Sequence, residues 1–395
     1  MKDQEDIVLN AEALSAFYGS YFQYYATLTP NYKTKFTERC LYFMESKAII
    51  GAEGFEVNNK VRAIVTASAV QLTLGLDVWD YDYFMEIIIH PQKFIHKPTQ
   101  QHFKGETNLN GYIKLSWLSF INGYKNPTDN VNLGIHEFSH ALRFNSIRGN
   151  EQDYYTKYFF TMWLGTAYEA YYHIKQGHQT IFREYGGANI NEFISVCFEH
   201  YFESPQQIKE AYPHLYYNTA ILLNQATEGD KTSVNIRERM MQEKSKLLTP
   251  LKNREIKQRL IDSNAVPLIT ISGVILGFTM MAAGIFSGPS LILLIVYFAI
   301  YLKLDSNFIT LNIHKNEFEI KKGFFFLKNW YRHTFQLSHL VNVTFNKADD
   351  GCEFSLIYFN TGDDHFYEES FLCDKLFVEE LLGEFKGNKI AINRL

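Results

Sequence analysis

Two histidines and a glutamate stand in the order His-Glu-x-x-His within the segment GIHEFSHALRF, residues 134–144. Residues four apart on a helix lie on the same face, so His136 and His140 could direct both imidazole rings at one metal ion. Glu137 would then reach a water molecule on that ion and act as a general base. The pattern predicts a zinc-peptidase active site, and the alternative is an accidental spacing of two histidines.

A catalytic zinc site needs a third protein ligand and leaves the fourth position to water. The segment YGGANINEFISVCFEHYFESP, residues 185–205, offers candidates on one predicted helix. Glu192 and Glu199 are two helical turns apart and share a face, so one could bind the metal while the other hydrogen-bonds a metal ligand. His200 lies on another face, which indicates a packed or surface histidine. The spacing alone leaves the two carboxylates as alternatives.

Composition narrows the class of protein. The chain has 395 residues and a formal net charge of -5, so no overall basic field indicates a nucleic-acid partner. Its four cysteines form no Cys-x-x-Cys pair, which argues against a disulfide framework or a cysteine zinc site and fits a reducing compartment. The first residues, MKDQEDIVLN, do not have the pattern of a signal peptide, so the first half is expected to stay in the cytoplasm.

Residues 263–302 contain no charged side chain. This stretch is about twice as long as one helical bilayer crossing, and SGPS at 287–290 supplies turn residues. The sequence predicts a two-helix transmembrane hairpin that contacts membrane lipid. Each arm would average only about 17 to 18 residues, so a shallow re-entrant hairpin is an alternative. A buried helix pair in a soluble core is a second alternative, which the absence of a polar face disfavours.

The flanks of this apolar stretch are basic, with Arg254, Lys257 and Arg259 before it and Lys303 after it. Basic flanks favour the cytoplasmic side. We therefore expect a cytoplasmic-membrane protein whose two globular domains both face the cytoplasm. The expected division is a peptidase domain at 1–250, a basic linker and hairpin at 251–304, and a β-rich domain at 305–395.

The two globular parts differ in the secondary structure that their sequences predict, and together they predict an α+β fold. The first reads as mainly helical, with a helix near Lys60–Leu74 and strands at Tyr83–His90 and Gly111–Phe120. The last part has short β-type runs separated by turn residues, followed by a helix from Asp374 to Gly387.

Residues from about Ala13 to Tyr216 resemble the Mlc titration factor A family of zinc-dependent peptidases, relatives of the anthrax lethal factor catalytic domain. The matching stretches are LGLDVWDYDYF, GYIKLSWLSF, NLGIHEFSHAL and YGGANINEFISVCFEHYFESP. The resemblance implies a zincin-like domain with Zn²⁺ as cofactor, bound by His136, His140 and Glu192. It also implies that Tyr185 faces the metal and that Glu199 supports a ligand. The chain departs from the family at HALRF and at Phe198-Glu199, which bears on substrate preference rather than on metal binding.

These observations predict a membrane-anchored zinc metallopeptidase that hydrolyses a peptide or protein substrate. Zinc and Glu137 would activate water, and Tyr185 would stabilise the oxyanion. The alternative is a peptidase-like binding protein that sequesters a cytoplasmic regulator with little hydrolysis. An extended substrate is expected to pair with an edge strand. The residues predicted for that strand are Gly111, Tyr112, Ile113, Lys114, Leu115, Ser116 and Trp117.

The last part of the chain resembles the PH-like domains of bacterial membrane proteins in its strand number and final helix. Lys321, Lys322, Lys328 and Arg332 lie among aromatic residues there, a mixture that suits a membrane surface. One interpretation is a docking or lipid-proximal module. The other, which we favour, is a small β-domain that stabilises the membrane anchor.

Overall fold

The structure is a computed structural model that describes residues 6–96, 99–148, 154–227, 235–259, 308–323, 331–348, 351–373 and 375–394. The chain divides into two compact units, Met1–Lys246 and Leu247–Leu395. Each unit has secondary structure of its own kind, and each is described below by itself.

The first unit is mainly helical, as its sequence predicts. Several helices begin where local chemistry favours a start. The side chains of Asn58, Ser116 and Asn189 each accept a hydrogen bond from a main-chain N–H in the following turn. Three other helices begin with proline, at Pro30, Pro205 and Pro213. The helices are α1 (Ala11–Tyr21), α2 (Gln23–Ala26), α3 (Pro30–Ser46), α4 (Asn59–Thr73), α5 (Trp117–Lys125), α6 (Leu133–Arg148), α7 (Tyr154–Lys175), α8 (Ile190–Glu203), α9 (Pro205–Ala211), α10 (Pro213–Leu223) and α11 (Ile236–Ser245).

The first unit also contains a four-stranded mixed sheet and a small antiparallel pair. The sheet has the order β1 (Ala48–Gly51), β2 (Glu86–His90), β6 (Tyr112–Ser116) and β5 (Gly105–Asn108). The first three strands are parallel, whereas β5 is antiparallel to β6 and lies at the end of the sheet. The small pair is β3 (Phe94–His96) with β4 (Gln101–Phe103).

The stretch Gly111–Trp117 was expected to form an edge strand, and that expectation is wrong. β6 pairs with β2 on one side and with β5 on the other, so both of its edges are used. The strand also ends earlier than expected, because the Ser116 hydroxyl accepts a hydrogen bond from the N–H of Ser119 at 3.3 Å and starts α5. Residue alternation predicts a strand, but it contains no information about which strands lie beside it.

Helix α6, which contains the His-Glu-x-x-His motif, lies in the centre of the first unit. Its side chains Ile135, Phe138, Ala141 and Leu142 are all buried. Gly134 allows a close approach to α4, since a Cβ there would lie 2.2 Å from the Ser68 hydroxyl oxygen. The helix is therefore held firmly by the core, and the motif side chains leave it from a fixed position.

In the described residues of the second unit, a series of strands precedes a helix, in agreement with the sequence pattern. One antiparallel sheet has the order β10 (Tyr331–Gln336), β9 (Glu317–Gly323), β8 (Phe308–His314) and β7 (Arg254–Arg259). The other has the order β13 (His365–Cys373), β12 (Gly351–Asn360), β11 (Leu340–Ala348) and β14 (Ile392–Arg394), with β14 parallel to β11. Helix α12 (Lys375–Gly387) precedes β14.

The structure differs from the expected division of the chain at residues 251–259. This basic stretch was assigned to a linker, but Arg254–Arg259 form β7 of the second unit. Ile256 is buried in the core of that unit, and Arg254 forms ion pairs with Glu384 at 2.7 Å and Glu380 at 3.2 Å. A short strand with alternating charges resembles a linker in sequence, because its stability comes from pairing with a distant strand.

The predicted transmembrane hairpin, residues 263–302, lies outside the described residues. Among the helices of the described ranges, none is both long enough and apolar enough to cross a bilayer.

Candidate metal centre and catalytic cleft

The two motif histidines lie side by side on α6. Their ring centroids are 4.9 Å apart, and both side chains are largely buried. The helix starts after Asn132, whose side chain accepts a hydrogen bond from the N–H of Ile135 at 3.1 Å. The start of α6 and its contact with the core thus set the direction in which His136 and His140 point.

Helix α8 places Glu192 opposite the two histidines. Its Oε2 atom lies 3.1 Å from Nε2 of His136 and 3.5 Å from Nε2 of His140. One ligand atom from each of these three residues lies within 4.8 Å of the others. They form a possible metal site, and two imidazole nitrogens with one carboxylate oxygen are a donor set found in catalytic zinc sites.

Glu199 lies behind this cluster, on the other nitrogen of His136. Its Oε1 atom is 2.7 Å from His136 Nδ1, and its Oε2 atom accepts a hydrogen bond from the N–H of Asn132 at 2.6 Å. The side chain is buried. A metal-binding histidine usually makes such a bond through its second nitrogen, which fixes the ring orientation. The geometry thus separates Glu192 and Glu199, which the spacing alone did not.

The charges of the cluster shift one another's protonation. Burial alone would lower the pKa of His136, but hydrogen bonds to Glu192 and Glu199 outweigh burial and raise the pKa to about 10. Burial would raise the pKa of Glu192, yet hydrogen bonds with the two histidines lower it far below its usual range. The carboxylates therefore create a negative field at His136, and such a field also favours a bound cation.

Arg183 is a residue of this site that the sequence analysis missed. Its guanidinium contacts the Glu199 carboxylate and lies 3.5 Å from His136 Nδ1, and it donates to the carbonyl of Asn130 at 3.3 Å. A buried carboxylate needs a compensating charge, which Arg183 supplies. The motif spacing gave no signal for it, because the residue lies in a loop before α8 and reaches the site through tertiary contacts.

Glu137 is buried on the side of α6 that faces β5. Its Oε2 atom accepts a hydrogen bond from the Thr107 hydroxyl at 2.8 Å. Burial raises the pKa of the Glu137 carboxyl, while the nearby histidines act in the opposite direction. A carboxylate with a raised pKa beside a possible metal site has the properties of a general base.

Tyr185 lies in a short 3-10 turn, Glu184–Gly187, at the mouth of the site. Its ring centroid is 5.9 Å from that of His136, and 55% of its surface remains exposed. Partial burial and the neighbouring Glu192 carboxylate raise the pKa of its hydroxyl. The hydroxyl therefore keeps its proton near neutral pH and can donate a hydrogen bond. His200, in contrast, lies away from the site and is 2.9 Å from the carbonyl of Ile181 through Nε2.

These residues line an open cleft with a volume of about 1350 Å³. Gly105, Glu106 and Thr107 of β5 form part of its wall. Within the stretch 111–117, which was expected to bind substrate, Ser116 lines the cleft and the other residues do not. The strand next to the candidate metal site is therefore β5. The sequence analysis had expected the stretch that forms β6 in this position.

The fold and the site define an α+β protein with a helical, peptidase-like unit and a possible His-His-Glu metal site. Residues 7–221 match the family described as glucose-regulated metallo-peptidase M90. The match covers more than half of the chain, and the protein belongs to this metallopeptidase family. This confirms, at the level of the family, the resemblance that the sequence motifs indicated.

A curated relative matches a stretch of similar length. The chain is 24% identical over 220 residues to a Synechocystis sp. protein described as "Uncharacterized protein slr2042", covering 51% of this chain and 79% of the relative. That description assigns no activity. Residues 222–395, which include the second unit, lie outside the family match.

Proposed function

We propose that the protein is a zinc-dependent peptidase that cleaves extended peptide segments. The observation that carries the proposal is the convergence of His136, His140 and Glu192, with Glu137 buried beside them and an open cleft in front. Family membership supports a metallopeptidase, and the nitrogen and oxygen donors support zinc as the metal.

A zinc ion bound by these three residues would lower the pKa of a water molecule and polarise the scissile carbonyl. Glu137 would accept the proton of the attacking water and later deliver it to the leaving nitrogen. Tyr185 would donate a hydrogen bond to the developing oxyanion. Glu199 and Arg183 would hold the ring of His136 in place.

The substrate is expected to pair with β5. No strand in the described part of the chain pairs with the outer edge of β5. Ser116 N–H donates to the carbonyl of Lys104 at 2.7 Å, one residue beyond the pair Gly105 and Leu115 in the register of β5 with β6. Pairing alternates along antiparallel strands, so Gly105 and Thr107 turn their own main-chain groups toward the open side. An extended peptide could therefore add to β5 directly in front of Glu137.

We also propose a membrane anchor at 263–302 from the uncharged sequence there, and the pairing of β7 with β8 bears on the topology it would have. These strands are antiparallel, and Arg259 lies opposite Phe308, so the intervening segment leaves and re-enters the second unit at neighbouring points. A segment with adjacent ends that enters a bilayer must return to the same side. This supports a hairpin rather than a single crossing, with both domains on one side, and the basic flanks favour the cytoplasmic side. Reporters fused to the amino terminus and after Leu395 should report the same side, and opposite sides would contradict the hairpin.

The second unit is proposed to be a PH-like domain that stabilises this anchor. Its antiparallel strands followed by α12 support the resemblance. Of the four basic residues that suggested a lipid surface, Lys328 lies outside the described residues, and the other three form ion pairs. Lys321 and Arg332 contact Glu319 at 2.6 and 2.7 Å, and Lys322 contacts Glu369 at 2.7 Å. Ion pairs reduce the positive field at the surface, which favours the stabilising role over lipid binding.

The experiment that tests the peptidase proposal compares the full-length chain with its Glu137→Gln variant. Zinc content is measured by elemental analysis, and hydrolysis by mass spectrometry of a diverse peptide library. We expect equal zinc in both proteins and cleavage by the wild type. If the wild type holds zinc but cleaves no peptide above the variant, the enzyme proposal fails, and the sequestering binding protein becomes the better account.

A further inference from the structure

The carboxylate of Glu137 packs directly against the edge strand β5. The Thr107 hydroxyl lies 2.8 Å from Oε2 of Glu137 and 2.9 Å from the main-chain oxygen of the same residue. A threonine hydroxyl has one proton to donate, so the two oxygens share it. Thr107 therefore connects the side chain of Glu137 to the backbone of α6 and fixes the direction in which the carboxylate points.

Gly105 provides the space for this arrangement. A Cβ atom at position 105 would lie 2.2 Å from Oε1 and 2.5 Å from Cδ of Glu137. Non-bonded carbon and oxygen atoms do not approach so closely, so any side chain at this position would push the carboxylate away. The glycine is needed here for the close approach of a neighbouring side chain.

Gly105 and Thr107 also present their main-chain groups to the open edge of β5, where the proposed substrate pairs. The strand that would bind the scissile segment is thus the strand that holds the group expected to act on it. No feature of the His-Glu-x-x-His motif indicates this, because β5 precedes α6 in the chain and meets it only in the folded unit.

We propose that Thr107 and Gly105 are positioning residues that hold the Glu137 carboxylate in the correct place and orientation beside a peptide bound along β5. The inference rests on the proposed function. Thr107 donates the hydrogen bond that orients the carboxylate, and Gly105 leaves the room that the carboxylate occupies. Loss of either should misplace the base without removing a proposed metal ligand.

The test uses the full-length chain with three variants and one control. Thr107→Val keeps the shape but removes the hydroxyl, Thr107→Ser retains the hydroxyl, and Gly105→Ala fills the space. Thr34→Val makes the same chemical change on the exposed face of α3, where the hydroxyl bonds only within its own helix at 3.3 Å. Zinc content and thermal unfolding are measured for every protein.

The first measurement is the affinity for a peptide hydroxamate, determined by calorimetry. A hydroxamic acid that binds metal through two oxygens gives its hydroxyl proton to a neighbouring carboxylate, and the two groups then share a hydrogen bond. Loss of one charge-assisted hydrogen bond should weaken binding about tenfold in Thr107→Val and in Gly105→Ala. Thr107→Ser and Thr34→Val should bind as the wild type does. Unchanged hydroxamate affinity in both Thr107→Val and Gly105→Ala would overturn the inference.

The second measurement is peptide hydrolysis. A misplaced catalytic group costs about a factor of 10 to 100 in rate, so kcat should fall by that factor in Thr107→Val while KM changes little. Thr107→Ser should recover most of the lost rate. A purely structural role would lower the unfolding temperature and kcat together, without recovery by serine, and would overturn the inference. If the wild type cleaves nothing but hydroxamate affinity changes as expected, the positioning inference stands and the peptidase proposal fails.

Discussion

The two walls of the cleft satisfy their polar groups in different ways. The helical wall is formed by α6, α8 and the loop before α8. Its side chains bond to one another, and most of their polar atoms have partners within the protein: His136, Glu192, Glu199 and Arg183. On the strand wall, β5 has one edge paired with β6 and no partner strand among the described residues on the other. The helical wall is suited to hold an ion in a fixed geometry, whereas the strand wall leaves donors and acceptors for a bound peptide.

Because the two walls differ in this way, substitutions on them should impair different properties of the protein. Changes on the helical wall should alter metal occupancy, and changes that affect Glu137 or β5 should alter rate or substrate binding while the metal stays. The following predictions test that separation, from the largest expected effect to the smallest.

The largest effect is expected from Glu192→Ala. Removal of the carboxylate leaves two imidazole ligands, so zinc should be lost and peptidase activity should vanish. Glu199→Ala should retain zinc with affinity lowered by about 10- to 100-fold, because it removes the bond that orients His136 through Nδ1 but none of the three proposed metal ligands. Elemental analysis and chelator competition measure both. Full zinc in Glu192→Ala together with zinc loss in Glu199→Ala would reverse the roles of the two carboxylates.

Glu137→Gln should have the next largest effect. The amide keeps the size of the side chain but cannot take a proton from water, so the rate should fall by about 10² to 10⁴ with zinc unchanged. Initial rates on a cleaved peptide measure the loss. Glu210→Gln, on the exposed face of α9, makes the same change elsewhere and should retain the wild-type rate. Equal rates for Glu137→Gln and the control would remove Glu137 from the mechanism.

Tyr185→Phe should reduce the rate by about 10- to 10³-fold, since it removes one hydrogen-bond donor to the oxyanion and leaves the metal ligands intact. The loss should appear in kcat rather than in KM, because the hydrogen bond strengthens only as charge develops. Steady-state kinetics separate these quantities. A change confined to KM would assign Tyr185 to substrate binding.

Arg183→Leu should weaken zinc binding by about tenfold, through the loss of the charge that compensates Glu199. Arg183→Lys keeps a positive charge but not the planar guanidinium, so an intermediate affinity is expected. Chelator competition at fixed pH measures the series. Wild-type affinity in Arg183→Leu would show that Glu199 orients His136 without help.

The smallest effect is expected from the substrate side of the strand wall. N-methylation of one peptide amide that pairs with β5 should raise KM by about 2- to 10-fold, because one net hydrogen bond is lost. A scan of singly methylated peptides should show this increase at alternate positions, because successive residues of an extended peptide turn their main-chain groups toward β5 and away from it in alternation. Equal KM values along the scan would argue against strand addition.

The sequence by itself determined the features that depend on local periodicity. The four-residue spacing places His136 and His140 on one face of a helix. Alternation marks β6, and short runs between turn residues mark the strands of the second unit. Each of these follows from the geometry of a single helix or strand. The same local rules could not choose between Glu192 and Glu199, because both lie on one face of α8. The family resemblance favoured Glu192, and the structure places Glu192 among the motif histidines.

Only the tertiary structure decided which strand lies at the edge of the sheet and which residues surround the ligands. Strand order is a property of pairing between distant segments, so β6 was taken for an edge although β5 covers it. Arg183, Gly105 and Thr107 have no spacing relation to the motif. They reach His136, Glu199 and Glu137 through the packing of a loop and a strand against α6 and α8, and such contacts exist only once the chain is folded.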